Sequence, residues 1–245
     1  MSVLVFSDLH VESAIDPIYA RLLQALRSTA AGDSVVLAGD IFDVFVGGNP
    51  VFAREYAEFM MVLWELESRG VVVHYIEGNH DFHLRGEYAE IPAVRVHASE
   101  VALDFDGRRI FVAHGDLADE SDRGYLRLRA FFRGDGFRAF ARLSPGVAMK
   151  WIGRILSSLS RRAHADAAKT MAPDALSRLR GIYRAYAERR LRDGFQCVVL
   201  GHCHDADEWI DPSSGGQYIN MGYPKVHGTY LRLDAGESRF RRTAF

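Results

Sequence analysis

The 245-residue sequence predicts an α/β fold, and three observations carry that expectation. Strand and helix patterns alternate through the first third as βαβαβ, the order that builds a largely parallel sheet. Strand-like runs then return after residue 196, behind a long stretch that reads as helical. Five short motifs of Gly, Asp, Asn and His each stand just after an expected strand. Ligands in open α/β sheets collect at the carboxyl ends of strands, so these five motifs would converge on one edge of the sheet.

The elements follow in chain order. Residues 3–7 (Val-Leu-Val-Phe-Ser) are a short apolar run of the kind buried on both faces. Residues 17–30 have helical spacing, with Leu22, Leu23 and Leu26 on one face. Residues 35–38 are a second buried-type strand. Residues 50–68 are expected as one helix, opened by Pro50 and closed by Gly70. Residues 71–76 are a third strand. Residues 101–105 and 110–113 flank Asp106-Gly107 as a hairpin. Residues 119–193 lack strand signals and are expected to be almost wholly helical. Within them Ile152, Ile155, Leu156 and Leu159 recur at helical spacing, and a further helix runs over 174–192, between Pro173 and Gly194. Strands return at 197–200, 208–211, 217–219 and 229–233. The chain, 1–245, is therefore expected as one domain with a helical insertion over about 119–170.

Composition narrows the class. Hydrophobic residues make up 48% and charged residues 25%, ordinary for a globular protein, which excludes disorder, collagen-like repeats and a coiled coil. Cys197 and Cys203 cannot build a disulfide framework and point to a reducing compartment. No apolar run reaches the ~18 residues that span a bilayer. Residues 1–10 carry no positive region, so no secretory signal is expected. The net charge of −2 hides an asymmetry. Residues 1–114 hold 8 basic and 17 acidic side chains, residues 115–193 hold 17 and 9, and residues 194–245 hold 5 and 6. A basic middle behind an acidic first half suggests an anionic ligand or surface near the middle segment.

The five motifs are Asp8-Leu9-His10, Gly39-Asp40-Ile41-Phe42-Asp43, Gly78-Asn79-His80-Asp81, His114-Gly115-Asp116 and Gly201-His202-Cys203-His204. Each alone is weak, because Asn and Asp favour turns and a lone histidine is usually structural. Together and in order they offer carboxylate, amide and imidazole donors. That set suits borderline divalent ions (manganese, iron, zinc or cobalt) better than calcium.

This ordered set resembles the calcineurin-like metallophosphoesterase superfamily, with matches spanning residues 8–204. The resemblance implies a four-layer αββα metallophosphoesterase sandwich with a helical lid insertion and a centre of two divalent metal ions, manganese first. Carried over residue by residue, Asp8, His10, Asp40 and His204 would hold one ion. Asp40, Asn79, His114 and His202 would hold the other, with Asp40 shared. Two divalent cations, the carboxylates of Asp8 and Asp40 and a hydroxide sum to about one positive charge, which suits a phosphate diester or a diphosphate. His80 is then the expected catalytic proton donor or phosphoryl partner, and Asp81 is expected to orient it. Asp43 and Asp116 are supporting carboxylates or turn residues.

Within that superfamily the N-terminal half is similar to bacterial UDP-2,3-diacylglucosamine hydrolases, through residues 39–47, the His114-Gly115-Asp116 motif and the run Asp122-Arg123-Gly124-Tyr125 with Arg127 and Arg129. The similarity implies cleavage of a lipid-linked nucleotide diphosphate to UMP and a diacylglucosamine 1-phosphate, on the path to lipid A. It implies substrate contacts at Asp122, Tyr125 and Arg129, with Ser160, Arg161, His164 and Lys169 as the nearest lid candidates. It also implies a cytoplasmic protein, peripheral on the anionic face of the inner membrane, with no nucleic-acid partner and no obligate protein partner. Phe131, Phe132, Phe137, Phe140 and Trp151 supply an apolar lid that could hold acyl chains and dock on a membrane surface. Four positions depart from those hydrolases: His80 stands where they carry arginine, Gly48 and Asn49 replace acidic residues, and Cys203 replaces threonine. The alternatives are a metallophosphoesterase acting on another phosphodiester, nucleotide or phosphoprotein, and a non-enzymatic scaffold. A scaffold is expected to lose ligands, and here all seven positions carry competent side chains.

Overall fold

A computed structural model describes residues 1–146, 148–149, 151, 153 and 173–245. Two sheets face each other. The first has the order β13-β12-β1-β2-β4-β6 and is built from β1 (Ser2–Phe6), β2 (Ser34–Ala38), β4 (Val72–Ile76), β6 (Val94–His97), β12 (Thr229–Asp234) and β13 (Arg241–Ala244). Its four strands from β1 to β6 pair in parallel, as the βαβαβ pattern predicts, and β12 and β13 add antiparallel. The second has the order β10-β11-β9-β8-β7, from β7 (Glu100–Phe105), β8 (Arg108–Ala113), β9 (Cys197–Leu200), β10 (Glu208–Ile210) and β11 (Gln217–Asn220). A short parallel pair, β3 (Phe45–Val46) with β5 (Asp81–Phe82), ties two of the motif loops together.

Three apolar cores define four layers. Strand β1 shows why. Alternate side chains of a strand point to opposite faces, and every residue of β1 is buried. Leu4 and Phe6 pack beneath helices α1 (Pro17–Arg27), α2 (Pro50–Glu55) and α3 (Ala57–Ser68). Val3 and Val5 pack between the sheets with Ile110, Val112, Val199 and Ile219. The outer face of the second sheet, through Phe111, Val198 and Tyr218, meets Tyr183, Ala187 and Leu191 of α6 (Pro173–Arg192). The αββα sandwich expected from the resemblance is thus present.

Helices α4 (Arg123–Phe132) and α5 (Asp135–Leu143) follow β8, and a short α7 (Pro224–His227) follows β11. Among the described residues no helix is long and apolar enough to cross a membrane. The single helix expected over 50–68 is two. Tyr56 breaks it, at φ −107° and ψ 34°, where its hydroxyl donates to the Val11 carbonyl and its ring packs 4.1 Å from Phe42. The apolar stripe at Ile152, Ile155, Leu156 and Leu159 lies outside the described residues.

Candidate metal centre

The five motifs meet, as the strand-end argument predicts. Each follows a strand: Asp8 and His10 follow β1, Asp40 follows β2, Asn79 and His80 follow β4, His114 follows β8, and His202 and His204 follow β9. Asp40 Oδ2 lies 3.7 Å from His10 Nε2, 3.9 Å from His80 Nε2 and 3.5 Å from His114 Nε2. His10 Nε2 and His204 Nε2 are 3.0 Å apart, and His204 Nε2 is 3.5 Å from Asp8 Oδ1. His114 Nε2 is 3.0 Å from Asn79 Oδ1 and 3.2 Å from His202 Nδ1. The groups Asp8-His10-His204, His10-Asp40-His80 and Asp40-His114-His202 each gather their donor atoms within 4.8 Å.

The backbone is bent to make this possible. Among the described residues, seven non-glycine residues have positive φ, and five are Asp8, His10, Asp40, His202 and His204. Such conformations cost about 1–3 kcal/mol each and persist only where surroundings hold them. The holding bonds are visible. Asp8 N and His10 N donate to the carbonyls of Gly39 and Asp40, at 3.1 and 2.9 Å. His202 N donates to Asp8 Oδ1 at 3.0 Å, Ser7 Oγ to Asp8 Oδ2 at 2.6 Å, and His80 N to Asp40 Oδ1 at 2.9 Å. Two glycines permit the crowding: a Cβ on Gly78 would sit 2.2 Å from Asp40 Oδ1, and one on Gly201 would sit 2.2 Å from Asp8 Oδ2.

The donor chemistry fits a cation. His114 Nδ1 faces the Ala38 carbonyl at 3.0 Å. A carbonyl only accepts, so Nδ1 carries the proton and Nε2 presents a lone pair. That lone pair meets the oxygen donors of Asn79 and Asp40, an electron-rich cluster that needs positive charge at its middle. Burial alone would lower His114, yet Asp40, Asp8 and Asp116 pull it up to about 10: a proton fills the role a cation would take. Among the described residues His10 Nδ1 is buried without a hydrogen-bond partner, with Asp43 Oδ1 3.9 Å away, and burial holds this imidazole neutral, well below its usual range. Burial opposes ionisation of Asp8 and Asp40, but the surrounding histidines overcome it and hold both below the ordinary carboxylate range. Two ligands on one ion at ~2.1 Å sit roughly 3–3.6 Å apart, close to most of the separations seen here.

Asp81 does something other than orient His80. Its Oδ1 accepts from the N–H groups of Asp40 and Gly78, both at 2.9 Å, and its Oδ2 accepts from Ile41 N and Tyr75 Oη, both at 2.8 Å. Burial and Asp40 push its carboxyl up to about 7 in spite of those donors. His80 is oriented by the Asp43 carbonyl, 2.8 Å from Nδ1. Asp122 Oδ1 caps α4 by accepting from Tyr125 N at 2.8 Å. Tyr125 Oη and Arg129 Nε both donate to Asp116 Oδ2, and the Tyr125 ring lies 5.7 Å from that of His202. Ser160, Arg161, His164 and Lys169 lie outside the described residues.

Sequence reasoning passed over Tyr223, whose ring stacks on His204 at 4.7 Å and 15°. Its Gly-Tyr-Pro context marks a turn, but nothing local shows what the ring packs against. Asn220 was also silent. Its Nδ2 donates to the Gly201 carbonyl at 3.1 Å, behind the His-Cys-His loop.

A convergent Asp/His/Asn centre at the strand ends of an αββα sandwich defines a metal-dependent phosphoester hydrolase. A model of the calcineurin-like phosphoesterase family matches residues 1–206, and the chain belongs to that family. It is 33% identical over 249 residues to the UDP-2,3-diacylglucosamine hydrolase of Stenotrophomonas maltophilia (strain K279a), covering 96% of each chain. It is 27% identical over 237 residues to the enzyme of the same name from Neisseria meningitidis serogroup C (strain 053442), covering 96% of this chain and 95% of that one. The fold is also that of an archaeal phosphodiesterase, with a TM-score of 0.50 at 14% identity over the whole of both chains.

Proposed function

We propose that this protein hydrolyses the diphosphate of UDP-2,3-diacylglucosamine to UMP and 2,3-diacylglucosamine 1-phosphate, a step of lipid A biosynthesis. Two divalent ions serve it, manganese first, with iron, zinc or cobalt as alternatives. Asp8, His10, Asp40 and His204 hold one ion, and Asp40, Asn79, His114 and His202 hold the other. Bound ions would supply polarisation of a phosphoryl oxygen and a nucleophile from water near neutral pH. His80 supplies the movable proton. With Nδ1–H donating to the Asp43 carbonyl, its Nε2 faces the centre, able to hydrogen-bond the phosphoryl group or, protonated, to serve the leaving oxygen.

The observation that carries the substrate is an apolar, largely aromatic track over the helices that follow the His114 motif, rooted in the core at Phe82. Phe82, two residues past His80, lies 6.3 and 6.1 Å from Phe132 and Phe137. These rings meet Phe131 and Phe140, which are 64% and 52% exposed, and Leu128 and Trp151 are exposed as well. An anionic diphosphate with acyl chains matches such a metal centre, apolar track and basic helices. The same face suits an anionic membrane surface, in keeping with a cytoplasmic, peripheral protein. Full-length similarity to relatives named for this substrate supports the reading. One domain, with the insertion over about 119–170, completes it. Asp122, Tyr125 and Arg129 stand at the start of that insertion, and with Ser160, Arg161, His164 and Lys169 they remain the proposed substrate contacts.

The test is turnover of UDP-2,3-diacylglucosamine against the soluble diester bis-p-nitrophenyl phosphate under matched conditions. The lipid substrate is expected to have the higher kcat/KM. Equal or better turnover of the soluble diester would favour a soluble phosphodiester or nucleotide instead.

A further inference from the structure

Helix α4 is tied to two arms of the metal centre by a row of side chains at one-turn spacing. Tyr125, Arg129 and Arg133 are four residues apart and so share a face. Tyr125 Oη and Arg129 Nε donate to Asp116, two residues beyond His114. Arg133, the C-terminal cap of α4, reaches further. Its Nη1 donates to Glu77 Oε2 at 2.7 Å and to the Ala98 carbonyl at 2.9 Å. Its Nη2 donates to the carbonyls of Glu77 and Gly78, at 3.2 and 3.0 Å. The ion pair is largely buried, with side chains 15% and 10% exposed.

These acceptors sit where the two sheets must be held in register. Gly78 ends the β4 arm and precedes Asn79. Ala98 lies on the crossing from β6 to β7, the start of the hairpin that leads to His114. Asn79 and His114 thus come from different sheets, and the ladder of neither sheet sets their separation. Helix α4 spans that gap: the Arg133 guanidinium holds the end of β4 and the crossing after β6 through four bonds to three residues, a fork that a single ammonium cannot supply, and Tyr125 and Arg129 hold Asp116 beyond His114.

We propose that Arg133 is a positioning residue for the Asn79–His114 half of the centre: it fixes the loop carrying Asn79 to α4, the helix that Tyr125 and Arg129 tie to Asp116 on the arm carrying His114. This rests on the two-ion centre proposed above. Arg133 touches none of the candidate ligand side chains, so its effect is read in metal affinity as well as turnover.

The test is calorimetric titration of metal-stripped protein with Mn²⁺, comparing wild type, Arg133→Lys and the surface control Arg138→Met. Arg133→Lys keeps a charge opposite Glu77 and loses the fork. It is expected to bind the first ion as wild type does and the second about 10–100-fold more weakly, the usual cost of losing a group that orients a ligand. Millimolar guanidinium added to Arg133→Ala should restore part of the second affinity. The double variant Arg133→Met/Glu77→Gln, which removes the buried pair together, is the second probe should a single variant not fold. Wild-type protein that binds fewer than two ions contradicts the centre itself. Two ions in wild type, with unchanged second affinity in the folded variants, contradicts the role of Arg133 alone.

Discussion

At the scale of the residue, the centre is a set of strained positions held by buried acceptors. Asp81 is the clearest case. Its four accepted bonds pin the turns after β2 and β4. Asp81→Ala would strand buried N–H groups at Asp40 and Ile41 and the Tyr75 hydroxyl, and is expected to destabilise the fold by at least ~2 kcal/mol, read by urea unfolding of metal-free protein. His80 should behave differently. His80→Ala is expected to lower kcat about 10²–10⁴-fold with two ions still bound, checked by metal analysis beside steady-state kinetics; a lost ion would make His80 a ligand. The candidate ligands were legible in the sequence because each sits in a short motif after a strand. The partner of Asp81 was not. A carboxylate beside a histidine suggests an orienting pair, whereas backbone N–H groups forty residues away leave no trace in residue type.

At the scale of the element, polar side chains decide where helices and loops dock. Asn49 accepts from Val51 N to cap α2 and donates through Nδ2 to the carbonyls of Ala141 and Ser144, at 2.7 and 3.1 Å. An acid at this position could not donate, which accounts physically for the asparagine. Asn49→Asp is expected to cost about 1–3 kcal/mol, measured as a shift in the denaturation midpoint. Arg180 and Arg184 of α6 grip Asp205 and Asp207, just past His204, through paired bonds.

The pair His74–His97, with ring nitrogens 3.0 Å apart, gives the fold a pH dependence. Burial, with His97 and Arg95, lowers His74 to about 4, and burial lowers His97 as well. The folded state therefore disfavours the proton. Stability is full above the ordinary histidine value near 6.5 and falls as pH drops from there towards about 4. In metal-free protein, His74→Gln is expected to make the fall in unfolding free energy between pH 7 and 5 shallower; an unchanged slope would place the dependence elsewhere. At this scale the longer buried strands were legible, the two-residue β3 and β5 were too short to mark themselves, and β6 and β13 were not legible either. Both are edge strands with half-exposed faces, and Arg241-Arg242-Thr243-Ala244 carries no apolar run to mark it.

At the scale of the whole molecule, the near-neutral net charge resolves into an acidic stretch over 1–114, which carries most of the candidate ligands, and a basic stretch over 115–193. Ions that bind only the folded state stabilise it by about 2.7 kcal/mol per site at a hundredfold excess over Kd. With both sites filled, Mn²⁺ is therefore expected to raise Tm of the stripped protein by roughly 10–20 °C. Calcium, which prefers larger all-oxygen sites, should raise it less.

The measurement that bears most directly on the proposed activity is UMP release from UDP-2,3-diacylglucosamine by metal-stripped protein, before and after Mn²⁺ is restored, in wild type and Asp40→Ala. The account predicts no release from the stripped protein, full release on reloading, and none from Asp40→Ala under either condition. Release by the stripped protein, or by folded Asp40→Ala, would contradict it.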